Sequence, residues 1–283
     1  MSKIYLQTEG EFPVANFSKT GFLDKFKMSD AELSLDCEFQ LFNEPSKRKE
    51  ESDFHLIPLN KANKLDSGFR ILSVSKRMEA FDRLLIPQKF SKKNIPVALK
   101  ELAVIAIEER TLLQISQIFP KKQDLELISL RVLTSEPGKF TEYAIILPWY
   151  IDEKPWLEKG YHQLDLHPAE FTPEAGSGCW AILGKDGSNQ SKKEIIRSLH
   201  HPASLVFTNT ERKFIRDFDI PDLEVLGTHL ESPLEDKYHL YICLKNNSSG
   251  EVFWFDYPSS TFGDMSTEAI EALKIHLQQQ TLI

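Results

Sequence analysis

A thiol, an imidazole and a carboxylate occur along the chain in the order Cys179, His239, Asp256. These are the residue types of a nucleophile, its base and the group that orients the base. A cysteine attacks as its thiolate, so such a site must lower the thiol pKa, which a helix N-terminus or a neighbouring imidazole does. Cys179 follows Gly176-Ser177-Gly178, small residues that let the backbone turn sharply and pass close to a substrate. Asp256 would accept from one ring nitrogen of His239 and leave the other facing the sulfur. Trp180, next to the thiol, and Trp156 would line the substrate cleft.

The elements that must position these groups are a hairpin and a turn. His239–Lys245 and Glu251–Asp256 are rich in β-branched and aromatic residues and flank the turn-forming Asn246–Gly250. A turn centred on Asn247 and Ser248 sets His239 directly opposite Asp256, with Cβ atoms roughly 5 Å apart. A loop of odd length would put them on opposite faces. For Cys179 two readings stay open. It begins a helix, or Gly178–Leu183 is a buried strand ending in a Lys185-Asp186-Gly187 turn. The second reading is favoured by Gly184 and Gly187, which together cost a helix interior roughly 2 kcal/mol. A separate helix then covers Lys192–Leu199, and Cys179 is core. Cys243 shares the strand of His239 but lies too close along it to serve as its nucleophile.

On these residues the chain resembles the transglutaminase-like division of the papain-like cysteine enzymes. The stretch that carries the resemblance is Gly178-Cys179-Trp180, then Arg197–Ala203 leading into Ser204–Thr208, then His239 and Asp256-Tyr257-Pro258. The resemblance covers residues 176–258. It implies acyl transfer from an amide by a cysteine-dependent hydrolase or acyl transferase (peptidase, deamidase or transglutaminase-like), acting on a protein or peptide. The chain departs from the family after Cys179, where glycines interrupt the expected helix, and at His200-His201 before Pro202. The alternative is a non-enzymatic acidic module that binds a basic protein partner, with Trp149, Trp156 and Phe262 as its anchors.

The rest of the chain supplies a frame. The 283 residues carry a net charge of −8 and are 41% hydrophobic, so they can bury a substantial core and lack the basic balance that nucleic acid or an anionic membrane attracts. Three cysteines are too few for a disulfide framework and fit a reducing compartment. With no apolar segment of signal-peptide or membrane-span length, the expectation is a soluble, cytoplasmic protein. His162, Asp165, His167 and Glu170 match no zinc spacing, and no glycine-rich phosphate motif occurs, so neither metal nor cofactor is expected. Alternation puts Leu33, Leu35, Cys37, Phe39 and Leu41 on one face of a strand. Residues 43–53 read as a charged loop, Met78–Leu85 as a helical turn or two, and 96–118 as one helix that is apolar enough to be buried centrally. Residues 124–134 and 142–151 read as a strand pair around Glu136-Pro137-Gly138. Ser266 caps a last helix with Ile270, Leu273 and Leu277 on one stripe. The fold expected is α+β: a mostly antiparallel sheet with a buried central helix and a C-terminal helix. A β-rich region would cover residues 1–93 and an α+β domain 94–283.

Overall fold

The computed structural model describes residues 2–8, 37–42, 54–64, 68–90, 95–119, 124–135 and 137–281. Helices and sheets are mixed in it, and the chain is α+β. Its first elements are strands: β1 (Ser2–Thr8), β2 (Cys37–Phe42), β3 (Phe54–Pro58), β4 (Phe69–Val74) and β5 (Arg83–Pro87). Helices and strands then alternate through α1 (Ile95–Glu101), β6 (Ala103–Ala106), α2 (Glu109–Ile118), β7 (Leu125–Leu127) and α3 (Leu130–Ser135). They continue as β8 (Tyr143–Leu147), α4 (Lys154–Leu157) and β9 (Tyr161–Asp165). The last part runs β10 (Trp180–Lys185), α5 (Gln190–Ser198), α6 (Pro202–Asp217), β11 (Leu223–Leu234), β12 (Lys237–Asn246), β13 (Val252–Ser259) and α7 (Met265–Thr281). The loop expected over 43–53 lies outside the described residues, as does the side chain of Cys37.

The chain divides into two compact units. Residues 1–80, 150–152 and 176–206 form the first, and 81–149, 153–175 and 207–283 the second. The boundary expected near residue 93 falls inside the second unit. Among the described residues no helix is long and apolar enough to cross a membrane.

The first unit holds a sheet in the order β2-β1-β3-β10-β4. β1 runs parallel to β2 and β3, while β10 is antiparallel to both its neighbours, β3 and β4. Trp180, Ala181, Ile182 and Leu183 are all buried, because β10 is interior to the sheet and covered on both faces. Such a strand reads as a continuous apolar run instead of an alternating one. Gly184 packs tightly: a Cβ there would lie 2.4 Å from Leu72 Cδ1, so the Leu72 side chain would have to move. Gly187, at φ +91°, then closes the turn, and the Asn189 side chain accepts from Lys192 N (3.2 Å) to cap α5.

The second unit holds two sheets. One has the order β7-β6-β8-β5-β9, with β6 parallel to β7 and β8, and β5 antiparallel to β8 and β9. The other, β11-β12-β13, is antiparallel throughout. Among the described residues four strand pairings are parallel and six antiparallel. The helix expected over 96–118 is three elements, since β6 interrupts it. An apolar run of Val104-Ile105-Ala106 suits a strand buried between two neighbours as well as it suits a buried helix, and periodicity cannot separate the two. β7 and β8 do not pair with each other, because β6 lies between them. Met78–Leu85, expected to form a helical turn or two, is irregular chain through Asp82 and then β5 from Arg83. One face of the three-stranded sheet carries Leu230, Leu240, Ile242 and Leu244 into a core with Phe214 of α6 and Met265 and Leu273 of α7.

Candidate functional site

Cys179 immediately precedes β10 and is fully buried among Ile57, Leu59, Val74, Ala181 and Leu183. Its carbonyl accepts from Leu59 N at 2.8 Å, and its own N–H donates to the Gly176 carbonyl at 3.3 Å. The glycines before it serve chain packing. Gly176 and Gly178 sit at φ +86° and +83°, and a Cβ on Gly178 would lie 2.6 Å from the Met78 carbonyl oxygen. Cys179 thus leads a core strand and gains none of the thiolate stabilisation a helix N-terminus supplies. Trp180 and Trp156 are 1% and 2% exposed, so neither faces an open cleft. Cys179 and Trp180 belong to the first unit, and Trp156, His239 and Asp256 to the second.

The hairpin does bring His239 and Asp256 together. The turn is longer than a two-residue connection: the Asn246 side chain accepts from Ser248 N and Ser249 N, and Gly250 N donates to the Asn246 carbonyl. Pairing consequently sets His239 opposite Pro258 and Tyr241 opposite Asp256. The slip is two residues, so both side chains keep the same face as diagonal neighbours. His239 Nδ1 lies 3.1 Å from each Asp256 carboxylate oxygen. The His239 ring stacks on Tyr241 at 5.8 Å, and His167 meets Tyr241 edge-on at 6.0 Å. His167 Nδ1 accepts from Ala169 N (3.2 Å), which places the proton of the neutral ring on Nε2, 3.9 Å from Glu231 Oε2. Burial, then Glu231 and Asp256, push the Tyr241 hydroxyl above its ordinary range. Cys243, on the same face of β12, is fully buried, and burial pushes its thiol up to about 12 against the opposing pull of Arg110. It is a core residue. Among the described residues no group of three His, Cys, Asp or Glu side chains is placed to hold a metal ion.

Sequence reasoning missed a cavity of about 660 Å³ in the second unit. The helical side of its wall is Leu99 of α1, Ile115 and Ile118 of α2, and Phe119 just beyond. Leu84 of β5 and Trp254 of β13 add to it, and the segment after β9 contributes Leu166, His167, Ala169, Glu170 and Phe171. A buried polar set ties that segment to α2. Arg110 Nη1 and Gln114 Nε2 both donate to the Thr172 carbonyl, at 2.9 and 2.8 Å. Arg110 Nη2 reaches Asp82 Oδ2 at 2.5 Å and Glu108 Oε2 at 3.1 Å, while the Asp82 carbonyl accepts from Leu166 N at 3.0 Å. Burial pushes the Asp82 carboxyl up to about 6, with Arg110 pulling it down and Glu108 and Glu174 adding to the rise. Burial also works against the Arg110 charge, but Asp82, Glu108 and Glu174 outweigh it and hold the guanidinium above its ordinary range. One signal for this set was present in the sequence, since Arg110 and Gln114 stand four apart and so share one face of a helix.

No family model matches the chain, and no curated protein matches it. Solved structures do. One is a TRAP solute binding protein from a marine metagenome, specific for aromatic acid ligands, at 10% identity over 77% of this chain and 83% of that one (TM-score 0.46). Another is the periplasmic aliphatic sulphonate binding protein SsuA of Escherichia coli, at 10% identity over 77% and 76% (TM-score 0.44). The arginine-, lysine-, histidine-binding protein ArtJ of Geobacillus stearothermophilus matches at 15% identity over 70% and 87% (TM-score 0.40). Each is a likeness and no more. A thiol that is buried in the core at the head of a strand does not begin the helix that transglutaminase-like or papain-like enzymes need. The resemblance expected from residues 176–258 is therefore withdrawn. With it go the cysteine-dependent hydrolase or acyl transferase, the protein or peptide substrate, and the acidic protein-binding alternative, whose anchors Trp149 and Trp156 are buried.

Proposed function

We propose that the second unit is a small-molecule binding module, and that its largely apolar ligand occupies the cavity bounded by α1, α2, the 166–171 segment and Trp254. One observation carries this reading: an apolar cavity of about 660 Å³ in the second unit, beside its packed cores. That volume lies in the range of ligand pockets, whose walls are mostly hydrophobic and aromatic with a few polar groups. Arg110 and Gln114 support it by fixing the 166–174 backbone from a helix, as binding sites built on rigid elements require. We also place the protein in a reducing, cytoplasmic compartment, in keeping with Cys179 and Cys243 as buried free thiols.

The test is titration with N-phenyl-1-naphthylamine, a neutral apolar dye that brightens on leaving water. Saturable binding at one site per chain is expected. Ala169→Phe, which fills the cavity from an exposed backbone position, should abolish it while leaving the melting temperature within a few degrees of wild type. Binding that fails to saturate, or that survives Ala169→Phe, sinks the reading.

A further inference from the structure

The chemistry of the cavity wall goes further than its size. Among the described residues that line it, Glu170 is the one acidic side chain and there is no Arg or Lys. Glu170 is exposed at this wall, and among the described residues its carboxylate has no ion-pair partner. Three aromatic side chains, Phe119, Phe171 and Trp254, stand in the same wall. Aromatic ring faces carry negative partial charge and attract cations, most strongly at tryptophan. Two other lining residues carry polar groups. His167 is occupied, with Nδ1 accepting from Ala169 N and Nε2 turned toward Glu231. The buried Trp254 indole N–H, without a partner among the described residues, is a neutral donor that brings no positive charge. An anionic ligand would meet a carboxylate and aromatic faces with no counter-charge. A neutral hydrocarbon would leave Glu170 unused. The net charge of −8 biases the surrounding field the same way.

We propose that the ligand of this cavity is an organic cation, an apolar body bearing one amine or ammonium head, with the head received by Glu170 among the rings of Phe119, Phe171 and Trp254. This rests on the reading of the cavity as a ligand site. The body then fills the pocket between Leu84, Leu99 and Ile115, where it replaces water against aliphatic side chains.

Three probes with one body and three heads separate the possibilities: 4-phenylbutylamine, 4-phenylbutanol and 4-phenylbutanoate, each measured by displacement of the naphthylamine dye. In the wild type the amine should bind about fivefold more tightly than the alcohol, the worth of one ion pair at a partly wet site, and the carboxylate more weakly than either. Glu170→Gln should bring amine and alcohol within about twofold of each other by weakening the amine alone. Trp254→Leu should weaken the amine more than the alcohol. If the alcohol binds as well as the amine in the wild type, or if their ratio is unchanged in Glu170→Gln, the cation is wrong and the cavity still binds ligand. If no probe displaces the dye and Ala169→Phe changes nothing, the cavity reading itself falls.

Discussion

Asp82 is 2% exposed, and its carboxylate meets the Arg110 guanidinium at 2.5 Å with Glu108 on the same nitrogen. A buried ion pair of this kind gives little net stability when intact but is costly to break from one side, because the surviving charge stays in a low dielectric. Asp82→Asn removes the buried negative charge and leaves Glu108 on Arg110, so at pH 7, where the wild-type carboxylate is ionised, the variant should stay within about 1 kcal/mol of wild type. The pH dependence has a definite sign. The native carboxyl titrates near 6 against an ordinary value of 3.8, so the folded state binds the proton more readily. Its contribution is fully present below the ordinary value and is lost as pH rises through about 6. Urea midpoints measured from pH 4 to 8 should show wild-type stability losing that increment between pH 4 and 6, and Asp82→Asn lacking it. Identical slopes in the two proteins would refute the assignment. The same scale explains why the hydrolase was misread. A Cys, a His and an Asp in the right order are visible in a sequence, but whether the thiol sits on a helix start or in a core strand is decided by pairing with β3 and β4, where Gly184 faces Phe54 and Arg70 more than a hundred positions away.

At the scale of elements, α2 and the 166–174 segment act as one wall, and β11 presses on that wall from the far side. A Cβ on Gly227 would stand 2.5 Å from the Thr172 carbonyl oxygen and 2.6 Å from that of Pro173, both backbone atoms that cannot swing away. Gly227→Ala should cost about 1–3 kcal/mol, the usual range for overpacking. It should also raise amide exchange over 166–174 and weaken dye binding in the cavity. Gly68→Ala, where a Cβ meets nothing within 4 Å, is the control and should stay within about 0.5 kcal/mol of wild type. Equal effects from the two substitutions would remove Gly227 from the account. Element type was legible where periodicity had one meaning. The C-terminal helix, with Leu273 buried on the predicted stripe, and the His239–Asp256 face both follow from period. The helix expected over 96–118 did not survive, since β6 is apolar all round and a parallel strand between β7 and β8 carries no alternation to betray it. The cavity left no local trace, because its wall is assembled from separate segments between Leu84 and Trp254.

At the scale of the whole chain, each unit is assembled from three stretches of sequence. This decides what a truncation can do. The first unit's sheet places β10, residues 180–185, between β3 and β4, and both of those strands hydrogen-bond to it along their length. A fragment of residues 1–93 keeps β3 and β4 but loses the strand that joins them, with Ala181, Ile182 and Leu183 as its buried face. Each of the two strands would then present an open edge and an uncovered apolar surface, which is a setting for aggregation. The complementary fragment, 94–283, keeps β10 without either partner and also loses β5, the strand between β8 and β9. Neither fragment should unfold cooperatively by circular dichroism, whereas the full chain should. A cut that respects the topology behaves differently: nicking the exposed Asn247–Gly250 turn leaves every strand of both units with its partners, and the nicked protein should keep a cooperative transition. A sharp thermal transition in residues 1–93 by themselves would show that β3 and β4 close a core without β10, and would overturn the interleaved division of the chain.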